Sequence, residues 1–218
     1  MTSAPIFDLD GTLVDTLPDI ASVMNAVLVG RGFPPLPTEA YRSRVGWGSR
    51  ELSRLSLPEG SRTEEEVRRI ETEFRVRYEA APVVRSAPFP GIPELLAELQ
   101  SRGVPLSILS NKPDGAVVPL LAALFPDIRF FRALGAAVGR PHKPDPAAAL
   151  GIARDLGLPP ERVFFVGDSG VDMRTARNAG MVPIGVDWGY RAVTELEAEG
   201  AVAVARSPED LLAILSGP

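Results

Sequence analysis

Short apolar runs recur along the chain, separated by stretches of helical spacing. The first, Pro5-Ile6-Phe7 within Ala4 to Asp8, leads straight into Asp10-Gly11-Thr12 and reads as a buried strand closed by a polar turn. Strands buried on both faces carry continuous apolar residues instead of an alternation. Similar runs lie at Leu106 to Leu109, Phe130 to Leu134 and Val163 to Val166, with weaker ones at Val182 to Val186 and Ala201 to Ala205. Between them, Leu95, Leu96 and Leu99 share one face of a helix over Pro93 to Gln100, which Gly103 stops. Asp145-Pro146 predicts an N-cap followed by proline at the first helical position, for a helix through Leu150, Ala153 and Leu156 to Gly157. Val171 to Ala179 predicts another, closed by Gly180. Strands alternating with helices predict an α/β fold with a parallel sheet covered on both faces.

Residues 15 to 85 break the alternation and hold no convincing strand. Ile20, Val23, Met24, Val27 and Leu28 form one helical stripe. Thr63 and Glu66 match a capping box, and Val67, Ile70, Phe74 and Tyr78 form a second stripe among mixed charges, which reads as a solvated face. A small α-helical domain, 15–85, is therefore expected as an insertion into a core made of 1–14 and 86–218. The length of 218 residues supports this, being about one and a half domains.

Composition narrows the chemistry. Cysteine is absent and His142 is the single histidine, so disulfides, thiolate metal sites and the usual structural zinc site are excluded. A net charge of −5 gives nonspecific nucleic-acid binding no support. The longest uncharged stretch, Gly115 to Pro126, is twelve residues, whereas a membrane helix needs about 20. No signal peptide is recognised either, and a cytoplasmic location is expected.

Two acidic pairs stand at strand ends. Asp8 and Asp10 close the first strand, where ligands of open α/β sheets bind. Carboxylates that close repel unless a cation or proton intervenes, and Mg2+ takes such oxygens together with substrate phosphate. A plain Asp-Gly turn explains the same residues. Asp168 and Asp172 follow Val163 to Val166; helix capping accounts for one of them, not for two strand ends finishing in acids. Lys143, in a proline-bounded loop, suits a phosphate or a developing charge, or is an ordinary surface lysine. Ser110-Asn111-Lys112-Pro113 suits a phosphate at a helix start, or is an N-cap.

Taken together, FDLDGT (Phe7 to Thr12), SNKP (Ser110 to Pro113), the Lys143 loop and VGDSGVDM (Val166 to Met173) resemble, in order, the four motifs of the haloacid dehalogenase-like hydrolase superfamily. VGWGS (Val45 to Ser49), PFPGI (Pro88 to Ile92) and SNKP resemble its phosphoglycolate phosphatase subgroup. The resemblance implies a Rossmann-like, doubly wound core with a helical cap, and Mg2+ as cofactor. It implies Asp8 as nucleophile and Asp10 as acid and base. It implies metal ligation by the Asp8 carboxylate, the Asp10 carbonyl and Asp168, with Asp172 orienting metal-bound water or Lys143. Ser110, the Asn111 amide and Lys143 would hold the phosphoryl group, and Thr12 would support Asp10 or the phosphate. Gly46 and Gly48 would let the cap approach the substrate, and Arg50 would pair with its carboxylate. Alternatively Ser49 caps the next helix and Arg50 only occupies its first turn.

The implied activity is hydrolysis of a small phosphomonoester, 2-phosphoglycolate first, through an aspartyl-phosphate. Asp10 speaks against dehalogenation, and a cap without lysine speaks against phosphonate cleavage. An inorganic pyrophosphatase, a sugar-phosphate phosphatase, a β-phosphoglucomutase-like phosphomutase and a phosphate-sensing scaffold are the alternatives. The expected partner is the phosphorylated substrate, with a homodimer possible and neither nucleic acid nor membrane.

Overall fold

The computed structural model describes residues 3–81 and 83–216. Six parallel strands form the sheet: β1 (Ala4–Phe7), β4 (Leu106–Pro113), β5 (Phe130–Ala136), β6 (Val163–Gly167), β7 (Val182–Val186) and β8 (Ala203–Ala205). A two-residue ladder outside it pairs β2 (Val14–Asp15) with β3 (Ala87–Pro88). The strand order in the sheet is β5-β4-β1-β6-β7-β8. The order reverses beside β1, so its carboxyl end and those of β4 and β6 share the switch-point crevice, where such sheets bind ligands. The α/β, doubly wound expectation holds.

Helices α4 (Ile92–Ser101), α5 (Asp114–Leu124) and α9 (Pro208–Leu215) contribute Leu95, Leu96, Val117, Leu120 and Leu211 to one apolar layer. Helices α6 (Ala147–Leu156) and α7 (Gly170–Ala179) cover the other face through Ile152, Ala153, Ala176 and Ala179 against Ile6 and Phe165. Helix α8 (Val193–Ala198) buries Leu196. Several boundaries differ from expectation. Strands β4 and β5 run on past Leu109 and Leu134, so Ser110-Asn111-Lys112-Pro113 closes a strand and α5 begins only at Asp114. Helix α6 starts at Ala147 with Pro146 as its cap, because the Asp145 carboxylate accepts from Ala147 N–H in a turn before the helix. The run at 201–205 shortens to Ala203–Ala205 at the sheet edge.

Between β2 and β3 lie α1 (Leu17–Gly30), α2 (Ser49–Ser56) and α3 (Glu64–Ala80). The two predicted stripes meet: Met24, Val27 and Leu28 pack with Ile70, Phe74 and Tyr78 in a separate apolar cluster. Thr63 caps α3 by accepting from Glu66 N–H. The β2–β3 ladder was not legible in sequence, since two residues are too few for a period.

Next to the ladder, buried Asp19 accepts from the N–H groups of Val84, Arg85 and Ser86 and from the Ser86 hydroxyl, at 2.6 to 3.0 Å. Burial pushes this carboxyl up, but the Ser86 hydroxyl and the backbone donors outweigh it and hold the carboxyl below its ordinary range. Asp19→Ala leaves those donors without a partner and is expected to cost about 2–4 kcal/mol in urea denaturation at pH 7. The difference should shrink as pH falls below about 4, where the wild-type carboxylate takes up its proton. A variant as stable as wild type would show that solvent replaces the carboxylate.

Candidate active site

Five residues from strand ends and a helix start, distant in the chain, converge in the crevice. Asp8 follows β1, tied to β6 by Asp8 N–H donating to the Val166 carbonyl at 2.8 Å. Asp168 follows β6, and Asp172 lies in the first turn of α7. Ser110 and Lys112 end β4. All five are buried.

The Lys143 ammonium lies 2.7 Å from Asp172 Oδ1 and 2.8 Å from Asp8 Oδ1. Its hydrogen bond goes to Asp172, and Asp8 Oδ1 is left without an aligned donor. Asp172 Oδ2 meanwhile accepts from Ser169 N–H and Oγ in a capping box, so capping and lysine positioning are both its work. Asp168 Oδ2 accepts from Tyr190 N–H at 2.7 Å. Carboxylate oxygens of Asp8, Asp168 and Asp172 lie within 4.8 Å of one another.

Burial raises the Asp8 carboxyl to about 7; Lys143 pulls it down, while Asp172 and Asp10 push it up. Burial also raises Asp168 well above its ordinary value, with Asp172 and Asp8 adding to the shift. Burial alone would lower the Lys143 ammonium, but Asp172 and Asp8 outweigh it and hold it protonated. The all-carboxylate donor set of Asp8, Asp168 and Asp172 fits a hard divalent cation such as Mg2+.

Gly11 turns the chain between the acids. Its φ of 86° is left-handed, and a Cβ there would fall 2.3 Å from Asp168 Oδ2. Asp10 Oδ1 accepts from Thr16 Oγ1 and Lys112 Nζ, each at 2.7 Å. The hydroxyl on Asp10 is therefore that of Thr16. The Thr12 hydroxyl is buried without a partner, and the Thr12 carbonyl accepts from Trp188 Nε1. The Asn111 side chain is spent on scaffolding: Oδ1 accepts from Lys143 N–H, and Nδ2 donates to the Lys143 and Gly46 carbonyls. Any contact of Asn111 with a phosphoryl oxygen is thus left to its backbone.

The helical block closes over the crevice. Gly46 and Gly48 both take left-handed φ, at 110° and 90°. A Cβ on Gly48 would come 3.0 Å from the His142 ring. Ser49 is the first residue of α2, not its cap, and donates to Glu71 Oε1. Arg50 is not brought to the cleft. Its guanidinium pairs with Glu64 and lies 3.9 Å from Glu71 on the exposed side of α2. Trp47 stacks against Arg174, 5.1 Å from ring centre to guanidinium. Asp8, Asp10, Ser110, Gly46, Gly48 and Ser49 line a cleft of about 40 Å3, room for about three waters.

Lys112 and Tyr78 are functional candidates that the sequence reading missed. Lys112 Nζ, buried, also donates to Tyr78 Oη at 2.7 Å. The signal available was the scarcity of lysine: the chain has two, and both lie at this site.

A family model described as haloacid dehalogenase-like hydrolase matches residues 3–180. A Pseudomonas putida phosphoglycolate phosphatase is 33% identical over 220 residues, covering 97% of this chain and 78% of the relative. A Pseudomonas aeruginosa N-acetylmuramic acid 6-phosphate phosphatase is 32% identical over 97% of this chain and 94% of its own. A crystal structure from Lactobacillus delbrueckii subsp. bulgaricus, of a protein assigned by prediction as a phosphoglycolate phosphatase, superposes with a TM-score of 0.92. It is 32% identical and covers 100% of this chain and 99% of that one.

Proposed function

Because the chain belongs to the haloacid dehalogenase-like hydrolases and is with them a phosphoric monoester hydrolase, we propose that it is a Mg2+-dependent phosphatase acting on 2-phosphoglycolate. The observation that carries this is that Asp8, beside the Lys143 ammonium, and Asp10 line the same small cleft. Residues 15–85 act as the cap that closes it. Among the described residues, no helix is long and apolar enough to cross a membrane.

In this reading an Asp8 oxygen attacks phosphorus, the ester P–O bond breaks, and Asp10 gives its proton to the departing oxygen. Water then attacks phosphorus of the aspartyl-phosphate, Asp10 takes its proton, and the Asp8 carboxylate departs. Lys143 and Ser110 hold the phosphoryl oxygens, and Asp172 fixes Lys143 in place. Magnesium, when held by the Asp8 and Asp168 carboxylates and the Asp10 carbonyl, supplies charge neutralisation at the phosphoryl group. The phosphoglycolate phosphatase relatives favour a two-carbon acid. A sugar-phosphate phosphatase is the second reading, favoured by the N-acetylmuramic acid 6-phosphate relative.

Phosphate release measured with Mg2+ across 2-phosphoglycolate, pyrophosphate and several sugar phosphates decides between them. The expected result is a preference for phosphoglycolate of about a hundredfold in kcat/KM, equal to about 2.7 kcal/mol. A flat profile would keep the phosphatase and withdraw the substrate.

A further inference from the structure

Lys112 is the one cation among the described residues lining the cleft, whose walls also bring in Asp8 and Asp10. The guanidinium expected to receive a substrate carboxylate, that of Arg50, sits outside at Glu64. A carboxylate entering a cleft lined by two acids needs a cation at hydrogen-bond distance, since burying an unpaired charge is costly. Lys143 is engaged with Asp172 and Asp8. We infer that Lys112 receives the second anionic group of the substrate, a carboxylate on the carbon that bears the phosphate ester. This rests on the phosphatase reading above and deepens it from one compound to a class, the phosphate esters of 2-hydroxy acids.

Valence and reach both support the assignment. An ammonium has three donors. Asp10 Oδ1 and Tyr78 Oη accept two, each at 2.7 Å, and Nζ lies 4.6 Å from the centre of the Tyr78 ring. The ring and the two acceptors fix the head group and leave one N–H for the cleft. In the proposed reaction the ester oxygen sits about 2.7 Å from an Asp10 oxygen. Lys112 Nζ is equally close to the same carboxyl group. A carboxylate on the ester carbon is the substrate group nearest the ester oxygen, and so the one brought toward Nζ. One further methylene separates the carboxylate from the carbon that bears the ester.

The alternative role for Lys112 is positioning of Asp10 alone, and a ratio separates the two. In Lys112→Met, kcat/KM is measured for phosphoglycolate and for ethyl phosphate, which has the same chain length and no carboxylate. Loss of a charge-assisted contact is expected to reduce the preference for phosphoglycolate by about 10–100-fold. A positioning role lowers both substrates alike, so an unchanged ratio overturns the inference. A second series needs no variant. Wild-type protein should prefer phosphoglycolate to 3-phosphooxypropionate, its homologue with one more methylene, by about tenfold or more, and equal rates overturn the inference whatever the variant does. A wild type that prefers phosphoglycolate, with a variant that keeps the preference, leaves the substrate reading standing and removes Lys112 alone. A wild type inactive on every ester removes both.

Discussion

Asp8→Asn is expected to lower phosphate release by about 10⁴-fold or more while the protein stays folded. A carboxamide keeps the shape of the residue but is no nucleophile toward phosphorus. The side chain also reports on the site without turnover. Its carboxyl is raised to about 7 in the fold, against an ordinary value near 4. Between those values the folded protein binds the proton more tightly than the unfolded chain does. Metal-free stability therefore falls as pH rises through that window. The asparagine removes a buried charge facing Asp172 and Asp168, while Lys143 retains Asp172. The variant should melt at or above the wild-type temperature at pH 7 in chelator, with a flatter pH slope. It should also lose most of the rise in melting temperature that Mg2+ gives the wild type. Turnover near the wild-type rate would remove Asp8 as nucleophile, and a large loss of stability would show that the acid cluster is structural.

Asp10→Asn is expected to reduce kcat by about 10²–10⁴-fold, the usual range for a positioned acid and base. Asparagine retains an oxygen to accept from Thr16 and Lys112, so the turn at Gly11 should survive. With p-nitrophenyl phosphate the leaving group departs with little need of an acid, and the second step suffers most. Acid-quenched protein should then carry a phosphoryl adduct visible by mass spectrometry and mapped to Asp8. An unchanged rate, or an impaired rate with no adduct on any substrate, contradicts the double role of Asp10.

The acids of the candidate site were legible because a strand buried on both faces must be apolar along its length. Charges at the ends of such runs therefore stand out, as Asp8 after Phe7 and Asp168 after Gly167 do. Lys143 was legible through its order relative to those runs. Lys112 was not, since its meaning depends on Asp10 and on Tyr78 across the cleft, partners 102 and 34 residues away. Tyr78 read as one more apolar position on α3, which is also true: its ring is buried in the helical cluster while its hydroxyl meets the lysine. The same blindness to distant partners explains Arg50. Its fork suits a carboxylate, and the structure supplies one, but on Glu64 of the next helix.

The β2–β3 pair, with Asp19 beside it, brings the two ends of the helical block side by side at the rim of the sheet. Loop closure costs only about 0.6 kcal/mol for each doubling of length. A segment whose ends already meet burdens the sheet little more at seventy residues than at thirty-five. The covering can therefore be exchanged, lengthened or recut as a cassette, while the carboxylates at the strand ends keep their spacing. One residue ties the two parts: Tyr78 on α3 holds Lys112 against Asp10, so a graft made between Asp15 and Ala87 has to keep that hydroxyl.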